Sequence, residues 1–136
     1  MAKFTILCPG ALDYILNKTG NMLIRYRPEE VCSIIDPNNE GKKASEILGF
    51  GGEIPIVKNF KDSKIFSPDS LIIGNAPQGG IIDENYKKEI EIAISFGCDI
   101  YNGMHQFLGD DPYFSELAKT NKVRIYDLRR PPFPPH

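Results

Sequence analysis

Ser70-Leu71-Ile72-Ile73-Gly74-Asn75-Ala76-Pro77-Gln78-Gly79-Gly80 is a short aliphatic run that stops at a glycine-rich loop. The run is continuous and β-branched, which suits a strand covered on both faces. After the loop, Tyr86, Ile90, Ala93 and Ile94 fall on one face of a helix at spacings of four, three and one. Asp83 is placed to cap that helix and Gly97 to end it. The pairs Glu84–Lys88 and Lys87–Glu91 support its wet face. A second apolar run, Cys98-Asp99-Ile100-Tyr101-Asn102, follows. Strand, loop, helix and strand within about 35 residues is the sequence form of one parallel crossover unit.

The same alternation extends in both directions. Upstream runs are Phe4-Thr5-Ile6-Leu7-Cys8, Val31-Cys32-Ser33-Ile34-Ile35-Asp36 and Pro55-Ile56-Val57, and Val123-Arg124-Ile125-Tyr126-Asp127 lies downstream. Helical stripes separate them. Ile15, Thr19, Met22, Leu23 and Tyr26 form one, which Pro28 should stop. Lys43 to Leu48 forms a weaker one ended by Gly49, and Phe60 to Phe66 a short one. Phe114, Leu117 and Ala118 mark another after Asp110-Asp111-Pro112. The expected fold is α/β, a Rossmann-like three-layer sandwich with a mainly parallel sheet of about five to six strands. Residues 1–128 form this domain in that reading.

Composition narrows the function classes. The 136 residues carry 16 Lys and Arg against 18 Asp and Glu, a net charge of −2. No basic face for nucleic acid or an anionic membrane follows from that balance. No window approaches the 18 apolar residues of a membrane span. Cys8, Cys32 and Cys98 are odd in number, widely spaced and set in or beside apolar runs. They read as buried reduced thiols of a cytoplasmic protein, not as a disulfide or zinc set. Of eleven prolines, Pro112, Pro131, Pro132, Pro134 and Pro135 lie in the last quarter.

In open parallel sheets, ligands bind beyond the carboxyl ends of the strands. Candidate contacts are therefore read at those ends. Gly10 follows the first run, but GxGxxG is absent. Lys18-Thr19-Gly20 lacks the upstream glycines of a P-loop. Asp36 closes the second run, 26 residues after Gly10, where a carboxylate can bind ribose hydroxyls or open an Asp-Pro turn. Lys42 in Glu40-Gly41-Lys42-Lys43 can meet a phosphate or start a solvated helix. Asn75, Gly79 and Gly80 allow close backbone approach to a ligand. Asn102 and Gly103 close the fifth run beside His105, which can serve as an acid, a base or a structural donor. Asp110-Asp111 is read as a helix cap, with a metal site the less economical reading. Arg129 and Arg130 can hold a carboxylate or phosphate, or form an interdomain salt bridge. No spacing points to a metal site or a nucleophilic triad.

One ordered set of segments resembles a known family. It comprises Leu23-Ile24-Arg25-Tyr26-Arg27-Pro28-Glu29-Glu30-Val31, Ile35-Asp36-Pro37 and Gly41-Lys42-Lys43-Ala44. Ile47-Leu48-Gly49-Phe50-Gly51-Gly52 and Ile54-Pro55-Ile56-Val57 follow. The set continues with Leu71-Ile72-Ile73-Gly74, Ala76-Pro77, Gly79-Gly80 and Gly103-Met104-His105, and closes on Ile125 to Pro132. In that order it resembles the N-terminal Rossmann-like domain of the D-glutamate N-acetyltransferase-like family, formerly a domain of unknown function. The resemblance implies acetyl transfer from acetyl-CoA to the amino group of a D-amino acid. It implies His105 as the base and Arg129 or Arg130 as a carboxylate holder. It also implies a C-terminal P-loop-type domain, whose GxxxxGK[ST] does not occur in these residues. Residues 129–136 then read as the proline-rich start of an interdomain linker, and the chain alone as inactive. The alternatives are a non-catalytic CoA- or nucleotide-binding module and an architectural domain that forms homo-oligomers.

Overall fold

Aliphatic runs of four or five residues satisfy their backbone groups most simply by pairing side by side, and here they do so in parallel. The computed structural model describes residues 3–7, 24, 27–49, 51–73, 84–102 and 108–127. Its strands are β1 (Phe4–Leu7), β2 (Val31–Ile35), β3 (Ile56–Val57), β4 (Ser70–Ile73), β5 (Asp99–Asn102) and β6 (Ile125–Asp127). All belong to one sheet in the order β3-β2-β1-β4-β5-β6, and every neighbouring pair is parallel. The described helices are α1 (Ala44–Leu48), α2 (Phe60–Ser63), α3 (Glu84–Phe96) and α4 (Pro112–Thr120).

Six expected strands are present, and β5 and β6 begin after the first residue of their apolar runs. The cause is the same at both places. Cys98 N donates to Ala93 O, and Val123 N donates to Ala118 O, each 3.0 Å. These residues close the preceding helix before the strand begins. Gly97, at φ +99°, supplies the left-handed turn that the closure of α3 needs. Pro28 opens a 3-10 turn, Pro28–Glu30, while most of the expected stripe from Ile15 to Tyr26 lies outside the described residues. Asp111 caps α4 by accepting from Tyr113 N at 2.9 Å, and Asp110 ends the 3-10 turn Leu108–Asp110.

Successive strand residues face opposite layers. Leu7, Ile35, Leu71, Ile73 and Ile100 pack with Tyr86, Ile90 and Ile94 of α3 and Phe114 of α4. Ile6, Ile34, Ile56 and Ile72 pack on the other side with Ile24, Ala44 and Ile54. Two apolar faces explain why the runs were continuous instead of alternating. Three buried hydroxyls interrupt the first face. Ser33 Oγ lies 2.7 Å from Thr5 Oγ1 and 3.0 Å from Ser63 Oγ, so the three satisfy one another. Cys98 is fully buried, its Sγ donates to Pro68 O at 3.2 Å, and burial pushes its thiol up to about 12. Cys32 is half-buried and its thiol is also raised, chiefly by burial. Both are free thiols.

Glu89 of α3 accepts from Phe60 N and so ties α3 to the start of α2. Burial raises its carboxyl above the usual range, and that effect outweighs the hydrogen bond, which lowers it. The folded state therefore holds this proton more tightly than the unfolded chain. Its stabilising effect is complete below the unfolded value near 4.5 and is lost as pH rises through the folded value. Glu89→Gln keeps an oxygen acceptor and has nothing to ionise. Urea titrations of the two proteins should show the variant gaining on the wild type from pH 4.5 towards 7. Parallel pH profiles would remove the proposed cost.

Candidate functional site at the carboxyl edge of the sheet

The strand order decides where a ligand can enter. The chain builds β1, β2 and β3 outward, then returns to lay β4 on the other side of β1. Connections therefore leave β1 and β4 in opposite directions, and it is between such carboxyl ends that open parallel sheets form their ligand crevice. β1 ends at Leu7 and β4 at Ile73, both fully buried. The chain continues from them into residues 8–23 and 74–83, outside the described set.

The strands flanking this pair end in buried polar residues. On the β2 side, Asp36 is fully buried. Its Oδ1 accepts from Asn38 N at 3.1 Å and its Oδ2 from Asn39 Nδ2 at 2.7 Å. Its own N–H donates to Val57 O at 2.9 Å, which fixes the turn against β3. The local cause is the sequence Asp-Pro-Asn-Asn, where proline sets the first helical φ and the aspartate caps the turn. A ribose hydroxyl at this carboxylate would share it with the turn.

Lys42 lies further out on the same side. Its carbonyl accepts from Ile56 N, and Gly41 N donates to Ile56 O, both 3.0 Å. Residues 41–44 thus run antiparallel along 54–56 and cover the outer side of the two-residue β3. The Lys42 side chain is exposed.

On the β5 side, Asn102 is fully buried and donates through Nδ2 to Asp127 Oδ1 at 2.8 Å. Asp127 is opposite Asn102 in register at the end of β6. Its carboxylate also accepts from Leu108 N at 2.9 Å and from Gly109 N at 3.0 Å. One carboxylate thus joins the ends of β5 and β6 to the turn Leu108–Asp110. A Cβ at Gly109 would stand 2.8 Å from Asp127 Oδ2, so glycine is what permits this approach. Sequence reading missed Asp127 as a site residue. The available signal was a carboxylate closing a strand, as Asp36 does.

Asp36 and Lys42 therefore gather on the β2–β3 side, and Asn102 stands apart on the β5 side. Three strand spacings separate β2 from β5, about 14 Å. The two sides flank the ends of β1 and β4. Gly10, Asn75, Gly79, Gly80, Gly103, His105, Arg129 and Arg130 lie outside the described residues. Among the described residues, no three His, Cys, Asp or Glu side chains group closely enough to hold a metal ion. No described helix is long and apolar enough to cross a membrane.

Known proteins share this framework. The DUF1611_N family, described as a Rossmann-like domain of unknown function, matches residues 37–131. A D-glutamate N-acetyltransferase from Tritonibacter scottomollicae is 29% identical over 129 residues. That match takes in 94% of this chain and 36% of the relative. The crystal structure of a DUF1611 family protein from Anabaena variabilis superposes with a TM-score of 0.87 at 32% identity. It covers 97% of this chain and 38% of that one. The chain thus spans little more than a third of the length of either relative.

Proposed function

The chain belongs to the DUF1611_N Rossmann-like domain family, and from that premise we propose that it is the ligand-binding part of a D-amino-acid N-acetyltransferase-like protein. The observation that carries this reading is the strand order, which reverses direction between β1 and β4, with buried Asp36 and Asn102 at the ends of the flanking strands. Acetyl-CoA or a related nucleotide is the elongated ligand that suits a site between these ends. The sequence similarity to a D-glutamate N-acetyltransferase supports the reaction class.

In this proposal the work is divided. Backbone N–H groups near Gly10, Gly79 and Gly80 hold the ligand, and Asn75 and Gly103 contribute further contacts to it. His105 takes the proton from the attacking amine as nitrogen adds to the thioester carbonyl, and collapse of the resulting oxyanion breaks the C–S bond and releases the CoA thiolate, which takes up that proton. Arg129 or Arg130 holds the substrate carboxylate. Turnover requires a further P-loop-type domain of the kind the family resemblance implies. A second reading, a CoA- or nucleotide-binding module without catalysis, draws on one observation. The described polar groups at the edge already bond within the protein, Asp36 to its own turn and Asn102 to Asp127 of β6.

Thermal shift and calorimetry with acetyl-CoA, CoA, ATP, NAD and D-glutamate test both. Saturable binding of acetyl-CoA is expected, with about 2.7 kcal/mol of added stability at a hundredfold excess over Kd. Binding of CoA together with turnover that survives His105→Ala in the two-domain protein would leave only the module. Absence of binding by all five compounds would overturn both readings in favour of an architectural domain.

A further inference from the structure

The two edges of the sheet are treated differently. The outer side of β3 is covered by residues 41–44, whereas among the described residues no strand pairs with the outer side of β6. Arg124 O accepts from Ile100 N at 2.9 Å, so the backbone groups of Arg124 face β5. Successive residues of a strand point these groups to opposite sides. Ile125 N–H and C=O therefore face outward, away from β5.

A groove of about 330 Å³ runs along this edge, between β6 and α4. Ala118, Val123 and Ile125 supply its apolar surface, and Ser115, Lys119 and Arg124 its polar surface. Among the described residues, no acidic side chain lines it. Glu116 approaches Lys119 only to 4.0 Å, with both side chains three-quarters exposed, and such a pair binds weakly. Two cations thus border an apolar trough beside an open strand edge, in a protein whose net charge is −2.

We propose that this edge docks an extended acidic peptide, which adds a strand to β6 and sets its apolar side chains against α4. Strand addition takes its affinity from main-chain hydrogen bonds and its selectivity from alternate side-chain contacts. Here Ile125 offers the hydrogen bonds, the trough takes every second side chain, and Lys119 and Arg124 select carboxylates. The same charges disfavour a second copy of this chain, because pairing β6 with β6 brings like charges together. The site is separate from the crevice between β1 and β4, and its occupancy does not depend on the acetyl-transfer reading.

The probe is a blocked octapeptide of alternating valine and glutamate, with a valine–lysine counterpart, followed by amide NMR and hydrogen exchange. The acidic peptide should bind saturably, shift residues 115–126 and protect the Ile125 amide. Lys119→Glu with Arg124→Glu should weaken it about tenfold or more through charge repulsion. Both side chains are at the surface, so the melting temperature should hold. Equal binding of the lysine peptide, shifts confined to other residues, or no binding at millimolar peptide would each overturn the proposal. Protection of Ile125 that grows with protein concentration alone would also overturn it, by placing a second copy there.

Discussion

Replacing Asp127 with alanine is expected to destabilise the protein by about 3 kcal/mol, and with asparagine by about 2 kcal/mol. The carboxylate has two oxygens and at least three donors aimed at them. Oδ1 receives Asn102 Nδ2 and Leu108 N, and Oδ2 receives Gly109 N. Alanine removes all three acceptor contacts, one of them from the amide of a fully buried asparagine. An unsatisfied buried donor costs about 1–3 kcal/mol, and bonds to a charged acceptor exceed neutral ones. Asparagine is the more telling substitution, because it keeps the volume. Whichever way its amide turns, its NH₂ confronts a donor, so at least one contact becomes donor against donor. Urea unfolding gives the magnitude, and exchange of the Leu108 amide gives the place. Losses below about 0.5 kcal/mol for both variants, the level of ordinary surface changes, would show that Asp127 joins nothing. The consequence for function is local. With the clamp gone, the ends of β5 and β6 lose their shared anchor on one side of the crevice.

Asp127 also shows where sequence reading reaches its limit. The six strands were legible because both sheet faces are apolar, so each run stood out as continuous. The helix α3 was legible from Tyr86, Ile90, Ala93 and Ile94, whose spacing survives as one buried face. Strand order was not legible, since parallel aliphatic runs of similar length offer one another the same hydrogen bonds. The order follows from how the helices pack, which no local pattern records. The role of Asp127 was hidden for a related reason. Two of its partners are backbone N–H groups 18 and 19 residues away, which every residue but proline possesses. Thr5, Ser33 and Ser63 were hidden likewise, because three hydroxyls satisfy one another only once the fold brings them together. Asp36 was legible by type and position, yet its hydrogen bonds serve its own turn first. The expected roles of Gly10, Gly79, Gly80, His105, Arg129 and Arg130 lie outside the described residues and belong to the proposal.

Gly51→Ala should be the other costly single change, at about 3 kcal/mol, and its neighbour provides the comparison. Gly51 sits at φ +94°, and a Cβ there would stand 2.6 Å from Ile24 Cγ2 and 3.1 Å from Ala44 Cβ. Both neighbours are fully buried. The isoleucine methyl is on a β-branched carbon with little rotamer freedom, and the alanine Cβ moves only with α1. Two costs therefore add: about 1–2 kcal/mol for left-handed backbone and about 1–3 kcal/mol for overpacking. Gly52 shares the first cost, at φ +60°, but a Cβ there meets nothing within 4 Å. Gly52→Ala should thus lose only about 1 kcal/mol. The gap between the two variants combines the close approach of Ile24 with the extra backbone cost at φ +94°, which lies beyond the left-handed region that φ +60° occupies. Equal losses in urea unfolding would mean that Ile24 does not press on Gly51. A gap beyond that backbone cost would establish that the cluster of Ile24, Ala44 and Ile54 is closed tightly around this turn. That cluster lies under β2, whose carboxyl end carries Asp36. The β2 side of the crevice then rests on a packed layer with no room for one added methyl group. If the proposed acetyl-CoA site is there, its affinity should accordingly fall in Gly51→Ala and persist in Gly52→Ala.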